Sequence, residues 1–143
     1  MEKIDSTGLY IVENNDFVRY NIPQGNVIVC GVPGAFTPGC TSRHLPGFAQ
    51  NLDKLKSLGV DKVVFIAVND AFVMDSWNNI HGHADIDSVA DPQAVFSKHI
   101  GKDVDYGETM GTRCKRYAMQ IQDGEFVKFF ANPFAEDVLK ELE

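Results

Sequence analysis

Val27-Ile28-Val29-Cys30-Gly31-Val32-Pro33-Gly34-Ala35-Phe36-Thr37-Pro38-Gly39-Cys40-Thr41 runs from an unbroken apolar segment, through a Pro/Gly loop, into a helix start. The apolar run 27–30 fits a strand buried on both faces, the kind found in sheets flanked by helices. Thr37 then suits a helix N-cap, and Pro38 suits the first helical position, where its missing N–H would have no partner anyway. Gly39 and Cys40 follow as the second and third helical residues. The thiol is thereby set after a strand's carboxyl end. It faces the free N–H groups and positive dipole end of a first helical turn, both of which favour thiolate over thiol.

Outward from this stretch, short strands alternate with helical patterns. Residues 9–12 and 17–20 are β-prone on either side of Asn14-Asn15-Asp16, which predicts an N-terminal hairpin. The helix begun at Pro38 is expected to be disturbed at Pro46-Gly47, because Pro46 has no N–H for the Ser42 carbonyl. It then continues through Phe48, Leu52 and Leu55, spaced to bury one face. Residues 62–68 read as a second buried strand, followed by a helix with Val73, Trp77 and Ile80 on one side. Asp91-Pro92 repeats the cap-plus-proline start, with Val95, Phe96 and His99 inward and Gly101 as the stop. Residues 114–121 and 125–130 pair across Asp123-Gly124, a dipeptide favoured in tight hairpins. Residues 134–142 form an amphipathic helix. The order fits one α/β domain over residues 1–143, a central mixed sheet with helices packed on it.

Composition narrows the function classes. With 143 residues, 44% hydrophobic, 23% charged and a formal net charge of −7, the chain has the make-up of a soluble globular domain and repels polyanions, so nucleic acid is not expected as a partner. Arg113, Lys115 and Arg116 form only a short basic concentration, read for at least two of them as a solvated strand end. No apolar run reaches membrane-spanning length, so no membrane partner is expected. The N-terminus lacks a secretory pattern, which predicts a cytoplasmic protein, an organelle after transit-peptide removal staying open. The three cysteines, Cys30, Cys40 and Cys114, are odd in number and form no Cys-x-x-Cys, so neither a disulfide framework nor a usual zinc spacing is present. His81-Gly82-His83 lacks nearby cysteine partners, and no metal is assigned.

The run from Gly31 to Phe48 resembles the active-site segment of peroxiredoxins, in particular the atypical peroxiredoxin-5 or redoxin branch. Val68-Asn69-Asp70-Ala71-Phe72-Val73 with Trp77, and Lys115-Arg116-Tyr117-Ala118-Met119 ahead of Gln122-Asp123-Gly124, match that branch in type and order. The resemblance implies a thioredoxin-like fold and a thiol-dependent peroxidase acting on hydrogen peroxide and alkyl hydroperoxides without a cofactor. Cys40 is the implied attacking thiolate, which becomes sulfenic acid. Arg116 is the implied cation beside it; on local chemistry alone it reads as an exposed, salt-bridging arginine. A forked guanidinium reaches sulfur and peroxide oxygen together, as a lysine does not. Thr37 either caps the helix alone or also donates its proton toward sulfur or substrate.

Pro33 resembles the family's proline that shields the sulfur, and it is grouped with Gly39 and His44 as substrate support. His44, one turn past Cys40, reads as a packed or hydrogen-bonded neighbour and not as a base. Trp77 reads as core. Many relatives carry a second, resolving cysteine near the C-terminus, and here none follows Cys114. Cys30 reads as buried. Cys114 stands two before Arg116 and shares its face if that segment is extended, so it is the internal rival for resolution. The expectation is a single-cysteine enzyme recycled by an external thiol, glutathione, glutaredoxin or thioredoxin, and assembled as a homodimer. A Cys-x-x-Cys oxidoreductase is disfavoured by Thr37, and a cysteine phosphatase by Pro46 where its arginine would stand. A non-catalytic redox-sensing or holdase-like protein is the remaining alternative.

Overall fold

The computed structural model describes residues 2–143, Ser42 by its backbone alone. Tyr10–Glu13 (β1) and Asp16–Arg19 (β2) form the N-terminal hairpin. Asn14 and Asn15 turn it at φ of 51° and 63°, the left-handed pair that matches strand twist in a two-residue turn. Asn26–Gly31 (β3), Lys62–Ala67 (β4) and Ile86–Ala90 (β5) pair in parallel. Tyr117–Gln122 (β8) joins β3 antiparallel, and Glu125–Phe129 (β9) follows across Asp123-Gly124. The result is a seven-stranded mixed sheet in the order β2-β1-β5-β4-β3-β8-β9. A separate ribbon pairs Asp103–Asp105 (β6) with Thr112–Cys114 (β7).

The helices are Leu45–Gln50 (α1), Leu52–Ser57 (α2), Ala71–His81 (α3), Val95–His99 (α4) and Ala135–Leu142 (α5). Alternation along β3 sends Ile28 and Cys30 into one apolar cluster and Val27 and Val29 into another, one on each face of the sheet. Cys40, Phe48, Phe65, Trp77 and Val138 belong to the first cluster, and Phe96, Cys114 and Met119 to the second.

Two helical expectations and one strand expectation change. The face buried by α3 is Ala71, Met74 and Trp77, while Ile80 is 65% exposed. Steps of three residues drift around the helix, so Ile80 has rotated off the seam that Trp77 fills. In α4, Phe96 and Ser97 are buried but Val95 and His99 face outward. Ala94 sits at φ 59°, which breaks the helix path after Asp91-Pro92 and resets its phase. Asp91 caps it nonetheless, its carboxylate accepting from Phe96 N and Ser97 N at 3.1 and 2.8 Å. Residues 114–121 are not one strand: Cys114 closes the small ribbon, and pairing resumes only at Tyr117.

Candidate active site

The site lies where the carboxyl end of β3 meets the start of β8. These strands are antiparallel neighbours with Gly31 opposite Tyr117, so the loop leaving β3 and the residue entering β8 come to the same edge. Gly31 is required there: a Cβ on it would collide with the Tyr117 ring. The pairing carries Arg116 to a thiol seventy-six residues away in sequence, its Nη2 3.1 Å from Cys40 Sγ.

Helical backbone begins at Pro38, and the Thr37 carbonyl accepts the Thr41 N–H at 3.0 Å, which makes Thr37 the boundary residue. Its hydroxyl does not cap the helix. It lies 2.7 Å from the Gly34 carbonyl and 2.9 Å from Cys40 Sγ. One hydroxyl proton serves one of these acceptors at a time, so the group bonds to the loop or to the sulfur. The disturbance expected at Pro46 takes a definite form: residues Cys40–His44 wind as a π-helical turn, with the Leu45 N–H on the Cys40 carbonyl. The wider turn skips the hydrogen bond that Pro46 has no proton to make.

The turn places Cys40 and His44 on one guanidinium. Arg116 Nη1 donates to His44 Nδ1 at 2.9 Å, and His44 Nε2 lies 2.9 Å from the Pro133 carbonyl. A carbonyl only accepts, so Nε2 carries the proton and Nδ1 is the acceptor. Burial first, and then the charge of Arg116, lowers the His44 pKa to about 3. A neutral imidazole that orients an arginine is thus its role in the structure. Phe48, Phe65 and Phe134 enclose the ring with centroids 5.7, 5.0 and 5.2 Å away. Phe134 also lies 5.7 Å from the Arg116 guanidinium and 3.7 Å from that of Arg43, which pairs with Glu136 at 2.8 Å. The C-terminal helix is thereby tied to the site.

Gly39 has a geometric reason, since a Cβ there would lie 3.0 Å from Arg116 Nη2. Pro33 is half-buried and enters through its carbonyl, 3.4 Å from Arg113 Nη1. Trp77 is core as expected, and its indole N–H donates to Thr41 Oγ1 at 3.1 Å. Asn69 escaped the sequence reading as a site residue, yet its Oδ1 accepts the Ala35 N–H at 2.9 Å and holds the loop that carries Phe36 at φ 63°. Arg113 is half-buried rather than a solvated strand end.

The other thiols are elsewhere. Cys114 does not share a face with Arg116, because the backbone leaves strand geometry between them. Its thiol donates to the Val32 carbonyl at 3.0 Å within the opposite apolar cluster. Burial, then the charge of Asp91, pushes that thiol up to about 12. Cys30 is wholly buried in β3, and burial raises its thiol well above the ordinary range.

A thiol gripped by a hydroxyl and a guanidinium after the first strand of a parallel core defines the class, and sequence and fold comparisons agree. The chain belongs to the redoxin family, which it matches over residues 13–142, and within it to the peroxiredoxins. It is 40% identical to "Peroxiredoxin AHP1" of Chaetomium thermophilum over 77% of this chain and 64% of that protein, and so spans under two thirds of that relative. It is 36% identical to "Peroxiredoxin-2B" of Arabidopsis thaliana over 81% of this chain and 77% of that one. The crystal structure of reduced Prx3 from Vibrio vulnificus in complex with hydrogen peroxide superposes with a TM-score of 0.92 at 33% identity, covering 99% of this chain and 97% of that one. The thioredoxin-like fold is thereby established.

Proposed function

We propose that the chain is a thiol-dependent peroxidase of the single-cysteine type, reducing hydrogen peroxide and small alkyl hydroperoxides at Cys40. The observation that carries this reading is the sulfur's setting, 2.9 Å from the Thr37 hydroxyl and 3.1 Å from Arg116 Nη2. The thiolate attacks one peroxide oxygen, an S–O bond forms as the O–O bond breaks, and two electrons pass from sulfur to peroxide. The second oxygen leaves as hydroxide or alkoxide and takes up a proton. Arg116 meets the developing negative charge, and His44 fixes the guanidinium's plane. Binding of hydrogen peroxide by the Vibrio protein supports the choice of oxidant.

Recycling is proposed to use an external thiol, glutathione, glutaredoxin or thioredoxin. The reductant's thiolate attacks the sulfenic sulfur and releases hydroxide, and a second thiol then frees Cys40 with formation of the reductant's disulfide. Supporting this, Cys30 is held in the sheet interior and Cys114 in the cluster on the sheet's other face. A cytoplasmic setting is proposed because it supplies such thiols. A homodimer is proposed because Phe36 on the site loop and Phe72 are 46% and 51% exposed, aromatic surface that a second copy covers. Mass spectrometry of peroxide-treated protein with and without glutathione tests the chemistry: the expected product is a glutathione adduct on Cys40, and an internal disulfide contradicts the single-cysteine reading.

A further inference from the structure

Two guanidiniums flank the loop that carries Cys40, and among the described residues neither is paired with a carboxylate. The ion pairs among the described residues engage Arg43 with Glu136 and otherwise only lysines. Arg116 is satisfied by sulfur and imidazole instead. Arg113 is braced differently: its Nε donates to the Met110 carbonyl at 2.9 Å, and its Nη1 approaches the Pro33 carbonyl at 3.4 Å. Of five guanidinium N–H donors, these contacts use two, and among the described residues Nη2 has no acceptor.

The loop is cut to fit this arginine. A Cβ on Gly34 would lie 2.9 Å from Arg113 Nη1 and 3.2 Å from Thr37 Cγ2, so Arg113 and Thr37 both lie over Gly34. Thr37 in turn touches the reacting sulfur. In a chain with 20 acidic and 13 basic residues, a half-buried, braced guanidinium against the loop that leads to Cys40 concentrates positive field where the overall charge is negative. The second Nη1 N–H and the adjacent Nη2 N–H still form the parallel donor pair that matches a carboxylate in bidentate geometry.

We propose that Arg113 is a carboxylate-binding residue beside the Cys40 site, drawing in the anionic group of a molecule that reacts there. The inference rests on the peroxidase reading above. Two molecules that visit this site can carry the carboxylate, the thiol reductant and the hydroperoxide, and the two half-reactions separate them.

In the reductive arm, Cys40 is oxidised by one equivalent of hydrogen peroxide. Loss of its sulfenic acid is then followed with 3-mercaptopropionate and with neutral 2-mercaptoethanol, each rate expressed per thiolate. In the oxidative arm, single-turnover rates are compared for monoperoxysuccinate and peracetic acid. Arg113→Gln is expected to lower the anionic-to-neutral rate ratio roughly tenfold in the arm whose reactant carries the carboxylate, the scale of one charge-assisted contact. Arg113→Lys, which keeps charge without the fork, should fall between, and a thermal melt of each variant confirms folding. A fall in the thiol arm assigns the carboxylate to the reductant, and a fall in the peracid arm assigns it to the oxidant. Unchanged ratios in both arms overturn the inference. If no thiol, neutral or anionic, clears the sulfenic acid from Cys40, it is the single-cysteine reading that fails.

Discussion

Cys40 and Cys114 are both wholly buried, yet they sit in opposite chemical surroundings. Donors surround the first sulfur: the Thr37 hydroxyl at 2.9 Å and the Arg116 guanidinium at 3.1 Å. Carbonyl oxygens face the second, that of Val32 at 3.0 Å and that of Ile66 at 3.8 Å. Carbonyls only accept, so they hold the S–H form, and burial beside Asp91 pushes the Cys114 thiol up to about 12. Under the proposed function, reactivity therefore follows what points at the sulfur, not how deeply it is buried.

The sharpest break of that comparison is to exchange each sulfur for oxygen. Cys40→Ser should abolish thiol-dependent peroxide consumption, because a hydroxyl is neither ionised at neutral pH nor comparably nucleophilic. Cys114→Ser should continue to turn over. Activity that survives in the first and disappears in the second would reverse the roles assigned here.

Next in size is Arg116→Lys, expected to slow single-turnover oxidation by about 10²-fold or more while leaving the melting temperature near wild type. Lysine keeps the charge but cannot bond sulfur and His44 Nδ1 together. Stopped-flow rates equal to wild type would remove the guanidinium from the reaction.

His44 gives a pH signature. Its folded pKa of about 3 lies below the ordinary 6.5, so the unfolded chain binds more protons between those values. The stability that depends on a neutral His44 is complete above about 6.5 and is lost as pH falls toward 3. His44→Gln can donate to Pro133 and accept from Arg116 without titrating, so its urea midpoint should fall less between pH 7 and pH 4. Parallel profiles for the two proteins would argue against a buried neutral imidazole.

The smallest effect belongs to Cys114→Ala. Losing one buried S–H donor to the Val32 carbonyl should cost about 1 kcal/mol of stability, read by denaturant unfolding, with little change in oxidation rate. A large rate loss at unchanged stability would place Cys114 in the reaction.

How much of this was legible depended on the range of the interactions. The run 27–41 revealed strand, loop and helix start because those are local choices of propensity and of proline placement, although the Thr37 hydroxyl turns to the loop and the sulfur instead of capping. Residues 134–142 showed their amphipathic helix for the same reason. The meeting of Arg116 with Cys40 needed a family resemblance, since it depends on β3 pairing with β8 across the sheet. His44 was visible as a neighbour but not as the group that orients Arg116, because its partners Pro133 and Arg116 are 89 and 72 residues away. The misplacement of Cys114 had a backbone cause: two residues out of strand geometry are enough to send its side chain to the other cluster. Ala94, at φ 59°, carries no sequence signal of the break it makes, so the inward faces of α4 were misread.

The most direct test of the account is peroxide turnover by the double variant Cys30→Ser, Cys114→Ser with glutathione as the external thiol. The account predicts that most of the wild-type rate survives, with Cys40 as the sulfur that cycles. Loss of turnover in the folded double variant, or a Cys40–Cys114 disulfide in oxidised wild-type protein, would contradict it.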